Sequence, residues 1–256
     1  MIEFVIGIAG CAVRICAMFE NTRSFCAEYL CDQEADFVLE ISAEDILFEQ
    51  QRSVRTDVLE GKPMRNFSDA YLETLAVQRK LAEKLFEYDT LLFHGSSIAV
   101  DCEGYLFTAK SGTGKSTHTR LWREMLVERA VMINDDKPFL GIHENGVKVY
   151  GSPWNGKHGL GNNICVPLKA ICILERGAEN EISPISAAQA LPMLMQQSHR
   201  PGNKSNFPKY MELLDRLAGG VAFYRLKCNM EPSAAAVSFE GMSGARVETE
   251  KKGMST

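Results

Sequence analysis

Residues 108–117 read TAKSGTGKST, and residue types in that order suit one task, the cradling of a phosphate chain. Gly112 and Gly114 let the backbone turn its N–H groups inward around phosphate oxygens. Lys115 offers a cation for the β- and γ-phosphates, and the Ser116 hydroxyl offers a ligand for Mg2+. The expected nucleotide-binding residues are therefore Ser111, Gly112, Thr113, Gly114, Lys115, Ser116 and Thr117. An apolar run at Tyr105–Thr108 predicts a strand entering this loop. Leu121, Trp122, Met125 and Leu126 then mark one side of a helix leaving it. The dipole of such a helix places roughly half a positive charge behind the bound anion. The first position of the usual GxxxxGK[ST] pattern is Ala109, which is acceptable where its φ is negative.

Three further elements surround the loop in sequence. AVMINDDKPF ends an apolar run in Asp135 and Asp136, twenty positions beyond Lys115. A carboxylate at a strand end beside the loop can hold Mg2+, and its neighbour can take a proton from an attacking hydroxyl. Adjacent acids also occur in plain turns, but the apolar run and the short interval favour chemistry here. His94, in LLFHGSS, admits two readings: a structural histidine, or an imidazole for a metal or a proton-transfer network. The stretch YGSPWNGKHGLG (150–161) reads as too irregular for packed core. It is either a loop that closes on phosphate or substrate, with Lys157 as its cation, or a surface hairpin.

In this order and spacing, FHGSS, YLFTAKSGTGKST and INDDKP resemble the superfamily of HPr kinase/phosphorylase and ATP-dependent phosphoenolpyruvate carboxykinase. The resemblance covers residues 91–180, and the short step from loop to Asp-Asp is its most specific feature. It implies an α/β phosphate-loop kinase core with a central mixed sheet. It also implies that Lys115 and the backbone of Ser111–Ser116 hold the phosphates of ATP. Ser116, Asp135 and Asp136 would hold Mg2+, with the aspartates also supplying the general base. His94 matches a histidine near the catalytic centre, and Lys157 matches more loosely a cation that contacts the transferred phosphoryl group. The chain departs from both relatives. It lacks the carboxykinase's substrate arginines, and CNMEPSAAAVSF stands where the protein kinases carry a signature rich in Arg-Asn and small residues. Decarboxylation chemistry and HPr as a substrate are therefore not expected.

The elements that must position these residues follow from pattern. Residues 1–65 contain short apolar runs (EFVIGI, AVRICAMF, DFVLEIS, DILFEQ) and predict a small strand-rich unit, antiparallel in character. The stretch 66–90 predicts a connecting helix, with Ser68 as its N-cap and Val77, Leu81, Leu85 and Tyr88 on one face, Tyr71 and Leu75 on an adjoining one. Residues 91–242 alternate strands with helices near 115–129, 186–198, 208–218 and 232–242, the α/β pattern. The end, 243–256, is polar, without apolar period, and reads as a flexible tail.

Bulk properties bound the partners. A chain of 256 residues with a net charge of −5 argues against nucleic-acid and anionic-membrane partners. Glu3 and Arg14 interrupt the apolar start, so strands of a cytoplasmic protein are expected there instead of a secretory signal. Cys11, Cys16, Cys26 and Cys31 form two C-x4-C pairs, but a strand reading puts Cys11 and Cys16 on opposite faces. Buried free thiols are expected, with zinc or a redox role as alternatives. The leading function is an ATP- and Mg2+-dependent kinase acting on a hydroxyl, in a peptide or protein serine or in a small metabolite, possible also in reverse as a phosphorylase. The alternatives are an ATP-binding regulatory switch or assembly factor and a binding module with a degenerate site. An oligomer is compatible with the sequence.

Overall fold

The computed structural model describes residues 1–246, so the expected tail from residue 247 lies outside the described residues. The chain opens with a hairpin of β1 (Ile2–Ile8) and β2 (Cys11–Ala17), paired antiparallel. Its two-residue turn uses Ala9 at φ 51° and Gly10 at φ 83°. Two successive positive φ values match the twist of the flanking strands. After α1 (Glu20–Phe25), β3 (Phe37–Glu40) pairs with β2 in parallel, not antiparallel.

The expected strand at DILFEQ is instead the start of α2 (Ala43–Leu59), a helix of 17 residues. Ser42 accepts from the Asp45 N–H, and the Asp45 carboxylate accepts from the Ser42 N–H. This reciprocal cap satisfies two groups that a helix start leaves open. The unit therefore holds more helix than strand. α3 (Asp69–Leu85) follows, capped by Ser68 as the sequence predicts. Its Glu73 is fully buried and accepts from the N–H groups of Met18 (2.6 Å) and Phe19 (3.1 Å) and from the Thr22 hydroxyl. That carboxylate fastens the start of α1 to the second turn of α3.

The rest of the chain builds a nine-stranded mixed sheet. In chain order its parts are β4 (Thr90–Leu92), β5 (Ser96–Val100), β6 (Glu103–Thr108), α4 (Lys115–Leu126), β7 (Ala130–Asn134), β8 (Phe139–His143) and β9 (Gly146–Tyr150). They continue with β10 (Cys165–Arg176), β11 (Glu181–Pro184), α5 (Ala187–Gln197), α6 (Phe207–Gly220), β12 (Ala222–Cys228) and α7 (Ser233–Ser243). β10 joins the two halves: its start pairs antiparallel with β9, and its remainder runs parallel between β6 and β12.

Central strands buried on both faces explain the long apolar runs. Leu106, Ile171 and Ile173 face α5 and α6, packing with Leu194, Tyr210 and Leu217. Tyr105, Phe107, Cys172 and Leu174 face α4 and α7, packing with Trp122 and Phe239. This period-2 alternation gives helix, sheet and helix layers. A third cluster joins the small sheet to the large one through Val77, Leu81 and Leu85 of α3, with Leu92, Phe139 and Trp154. All eight cysteines are free. Among the described residues no helix is long and apolar enough to cross a membrane.

Candidate active site

β6 delivers the chain into the glycine loop. Ala109 is fully buried and its φ is not positive, so a glycine is not required there. Gly112 and Gly114 have φ values of +76° and +119°, and an added Cβ at either would meet nothing within 4 Å. These two glycines are required by backbone conformation, not by crowding. The Arg176 guanidinium donates to the Gly112 carbonyl at 2.7 Å, and the Thr113 hydroxyl donates to that of Lys110 at 2.8 Å. Gly114 then caps α4 without any side-chain partner for the first N–H groups, which a phosphate can satisfy. Lys115 opens the helix with a buried side chain whose Nζ lies 3.5 Å from the Ala109 carbonyl. Burial pushes its pKa down, against the pull of Asp136.

β7 delivers Asp135 and Asp136 to the same place. Asp135 is buried and accepts from Ser96 Oγ at 2.7 Å, and the nearby Ser116 hydroxyl favours its charged form. Burial raises its pKa despite these two hydroxyls. Asp136 is pushed the other way. Burial alone would raise it, but the His94 hydrogen bond and the Lys137 charge hold it below the usual carboxylate range. His94 Nε2 lies 3.3 Å from Asp136 Oδ1. Two adjacent carboxylates with oppositely displaced affinities for a proton are suited to different roles.

The residues holding this arrangement were not singled out by sequence. Asn134, fully buried, accepts from the N–H of Asp136 (2.8 Å) and donates to the Ser152 carbonyl (3.0 Å) and Asn155 Oδ1 (2.7 Å). Thr108 Oγ1 donates to the His94 carbonyl at 3.0 Å, and the Gly95 N–H donates to that of Asp136 at 3.1 Å. Loop, histidine and acidic pair are thus tied together by β6, β5 and β7. The only available signal was the polar residue at each strand end.

The stretch 150–161 divides in two. Contrary to expectation, its first half is core: Ser152 and Trp154 are buried, and Trp154 Nε1 donates to the Thr74 carbonyl of α3 at 3.1 Å. An indole that fills the gap between sheet and helix makes an irregular backbone compatible with dense packing. The second half is exposed and carries Lys157 in a short turn, Gly156–His158. A Cβ on Gly156 would stand 3.1 Å from Asp136 Cβ, so this turn lies against the acidic pair. Lys157 lines a cleft of 580 Å³ with Asp136, Lys137, Trp154, Leu75 and Phe25. A separate hollow of 460 Å³ adjoins the glycine loop, walled by Leu121, Leu174, Arg176, Cys228 and Met230.

No protein-family profile and no curated protein matches this chain. Among solved structures, the chain is similar to the Hpr(Ser) kinase/phosphatase from Coxiella burnetii at 14% identity and a TM-score of 0.29. The match covers 49% of this chain and 93% of that one.

Proposed function

We propose that this protein is an ATP- and Mg2+-dependent phosphotransferase that places the γ-phosphoryl group on a hydroxyl, of a small metabolite or of a serine. One observation carries the reading: Ser116, in the first turn after the glycine loop, lies near the buried Asp135, which Ser96 holds at 2.7 Å, while Asp136 beside it pairs with His94. The nucleotide phosphates would lie on the 111–117 backbone and on Lys115, with the base in the apolar hollow toward Leu174 and Met230.

Mg2+ fits the donor set. No group of three or more His, Cys, Asp or Glu among the described residues could cage a metal unaided. Mg2+ on a nucleotide, however, is held by one or two carboxylates and a hydroxyl together with phosphate oxygens. Asp135 and Ser116 offer that pair, with Asp136 adjacent, and a cation would relieve the cost of burying the Asp135 charge. Bound there, Mg2+ would neutralise charge on the β- and γ-phosphates. Asp136, kept ionised and bordering the cleft with Lys157, would take the proton from the acceptor hydroxyl. The acceptor oxygen bonds to the γ-phosphorus as the bond to the β–γ bridging oxygen breaks, and ADP leaves. Lys115 and Lys157 would offset the charge that develops on the transferred group. In this reading 91–242 is the catalytic core, and 1–65 with the helix in 66–90 covers the acceptor side.

The test is incubation of the full chain with Mg2+ and γ-labelled ATP, with a panel of hydroxyl compounds and a cell extract. Labelled phosphoester is expected with wild type and should be lost in Asp135→Asn. Slow release of inorganic phosphate alone, with strong thermal stabilisation by ATP, would replace this reading with the regulatory switch.

A further inference from the structure

A third hollow, of 360 Å³, opens beside His94 and shares no lining residue with the one at the glycine loop. Its walls come from far apart in the chain: Arg52 of α2, Arg79 of α3, Lys137 after the acidic pair, and His199 and Arg200 after α5. The last segment is locked in place by β4 and the residues after it, His94 included. Phe93 and Ser198 form an antiparallel bridge, the His94 N–H donates to the Gln197 carbonyl at 2.8 Å, and the His199 N–H donates to that of Leu92 at 2.8 Å.

The charges here do not balance. Arg79 is matched by Glu49 at 2.6 Å and Asp45 at 2.9 Å, with Glu83 at 4.0 Å. Arg52 leans on the same Glu49 at 3.4 Å, so one buried carboxylate serves two guanidinium groups. Lys137 reaches Asp136 only at 3.5 Å, and Asp136 already serves His94. Arg200 bonds only to the Met195 carbonyl, with no carboxylate partner among the described residues. His199 Nε2 is shielded from solvent and has no hydrogen-bond partner among the described residues. Burial, then the charges of Arg52 and Arg79, lowers the pKa of that ring, which leaves an unpartnered ring nitrogen in a positive field. This occurs in a chain whose net charge is −5. Surplus cations around an unpartnered ring nitrogen complement an oxyanion.

We propose that this hollow binds a carboxylate or phosphate group carried by the molecule whose hydroxyl is phosphorylated. The assignment rests on the phosphotransferase reading. An anion held by Arg52 and Arg200 sits next to His94 and Lys137, the immediate neighbours of Asp136, so it would set the hydroxyl before the base. The 580 Å³ cleft shares Lys137 and Gln78 with this hollow and would take the body of the acceptor. A neutral alcohol would leave the cations uncompensated, which makes charge a basis for selection.

Inorganic phosphate is the binding probe, titrated into the full chain with saturating Mg2+–ATP so that the glycine loop is occupied. The melting temperature of wild type should rise with phosphate. In Arg52→Gln/Arg200→Gln that rise should vanish while the rise caused by ATP persists. An equal phosphate effect in both proteins, or none in wild type, overturns the site. A second set of arms identifies the source of the anion: glycerate and glycerol 3-phosphate against glycerol, and Ser-Asp peptides against Ser-Asn peptides. One pair should show a preference of about tenfold or more in kcat/KM for the anionic member, lost in the double variant through KM. Equal use of charged and neutral acceptors overturns the proposal. If ATP stabilises neither protein, the nucleotide reading fails. Phosphate titration of Lys115→Ala, without ATP, still decides the oxyanion site.

Discussion

On one side of the acidic pair, a strand, a loop and a helix follow one another within residues 103–126. On the other side, Arg52, Gln78, His94, Lys137 and Arg200 meet from five separate parts of the chain. The first side needs only local rules: a buried strand, two residues with positive φ, and an open helix start. The second exists only when tertiary packing is complete. Trp154 holds the 150–161 stretch to α3, Glu73 holds α3 to α1, and the Phe93–Ser198 bridge holds the segment after α5 to His94. The contrast is that of a locally encoded cradle against an assembled wall, and substitutions should separate the two.

The largest separation is expected from Trp154→Ala. Removing a buried indole that also donates a hydrogen bond should cost about 3–5 kcal/mol of stability. The melting temperature should fall well below that of wild type, while ATP still raises it, because the glycine loop lies elsewhere. An unchanged melting temperature would mean that the acceptor side does not depend on this contact.

A smaller effect is expected from acid. Burial would raise the pKa of Asp45, but hydrogen bonds from Ser42, Lys80 and Arg79 bring it down to about 2, from an ordinary 3.8. A depressed folded-state value means stability that is present above the unfolded pKa and lost as pH falls through the folded one. Denaturant midpoints should therefore decline from about pH 5 toward pH 2, and less steeply in Asp45→Asn. Parallel curves for the two proteins would remove Asp45 from the account of how α2 is held against α3.

The same contrast governs what could be read from sequence. Lys115, Ser116, Asp135, Asp136 and His94 announced themselves through strand ends and a glycine loop, and the structure brings them together. Ala109 could be judged only with its backbone in view. DILFEQ misled because Ile46, Leu47 and Phe48 are consecutive apolar residues, yet the Ser42–Asp45 capping box stood just before them. Leu47 and Phe48 are half exposed, and Arg79 lies 4.7 Å over the Phe48 ring, a contact no local pattern records. Asn134 was unreadable for a related reason. Its role depends on Ser152 and Asn155 arriving from beyond β9. The cationic hollow was the least legible, since Arg52 and Arg200 are 148 positions apart.

The most direct measurement compares two variants by ATP calorimetry and by label transfer in the same preparations. Lys115→Ala should lose ATP affinity by well over tenfold, as expected when a charge-assisted phosphate contact is removed. Asp136→Asn should bind ATP about as wild type does but transfer label roughly 10²–10⁴ times more slowly. That outcome would place the nucleotide on the loop and the proton transfer on the acidic pair. Unchanged ATP affinity in a folded Lys115→Ala protein, or full transfer by Asp136→Asn, would contradict it.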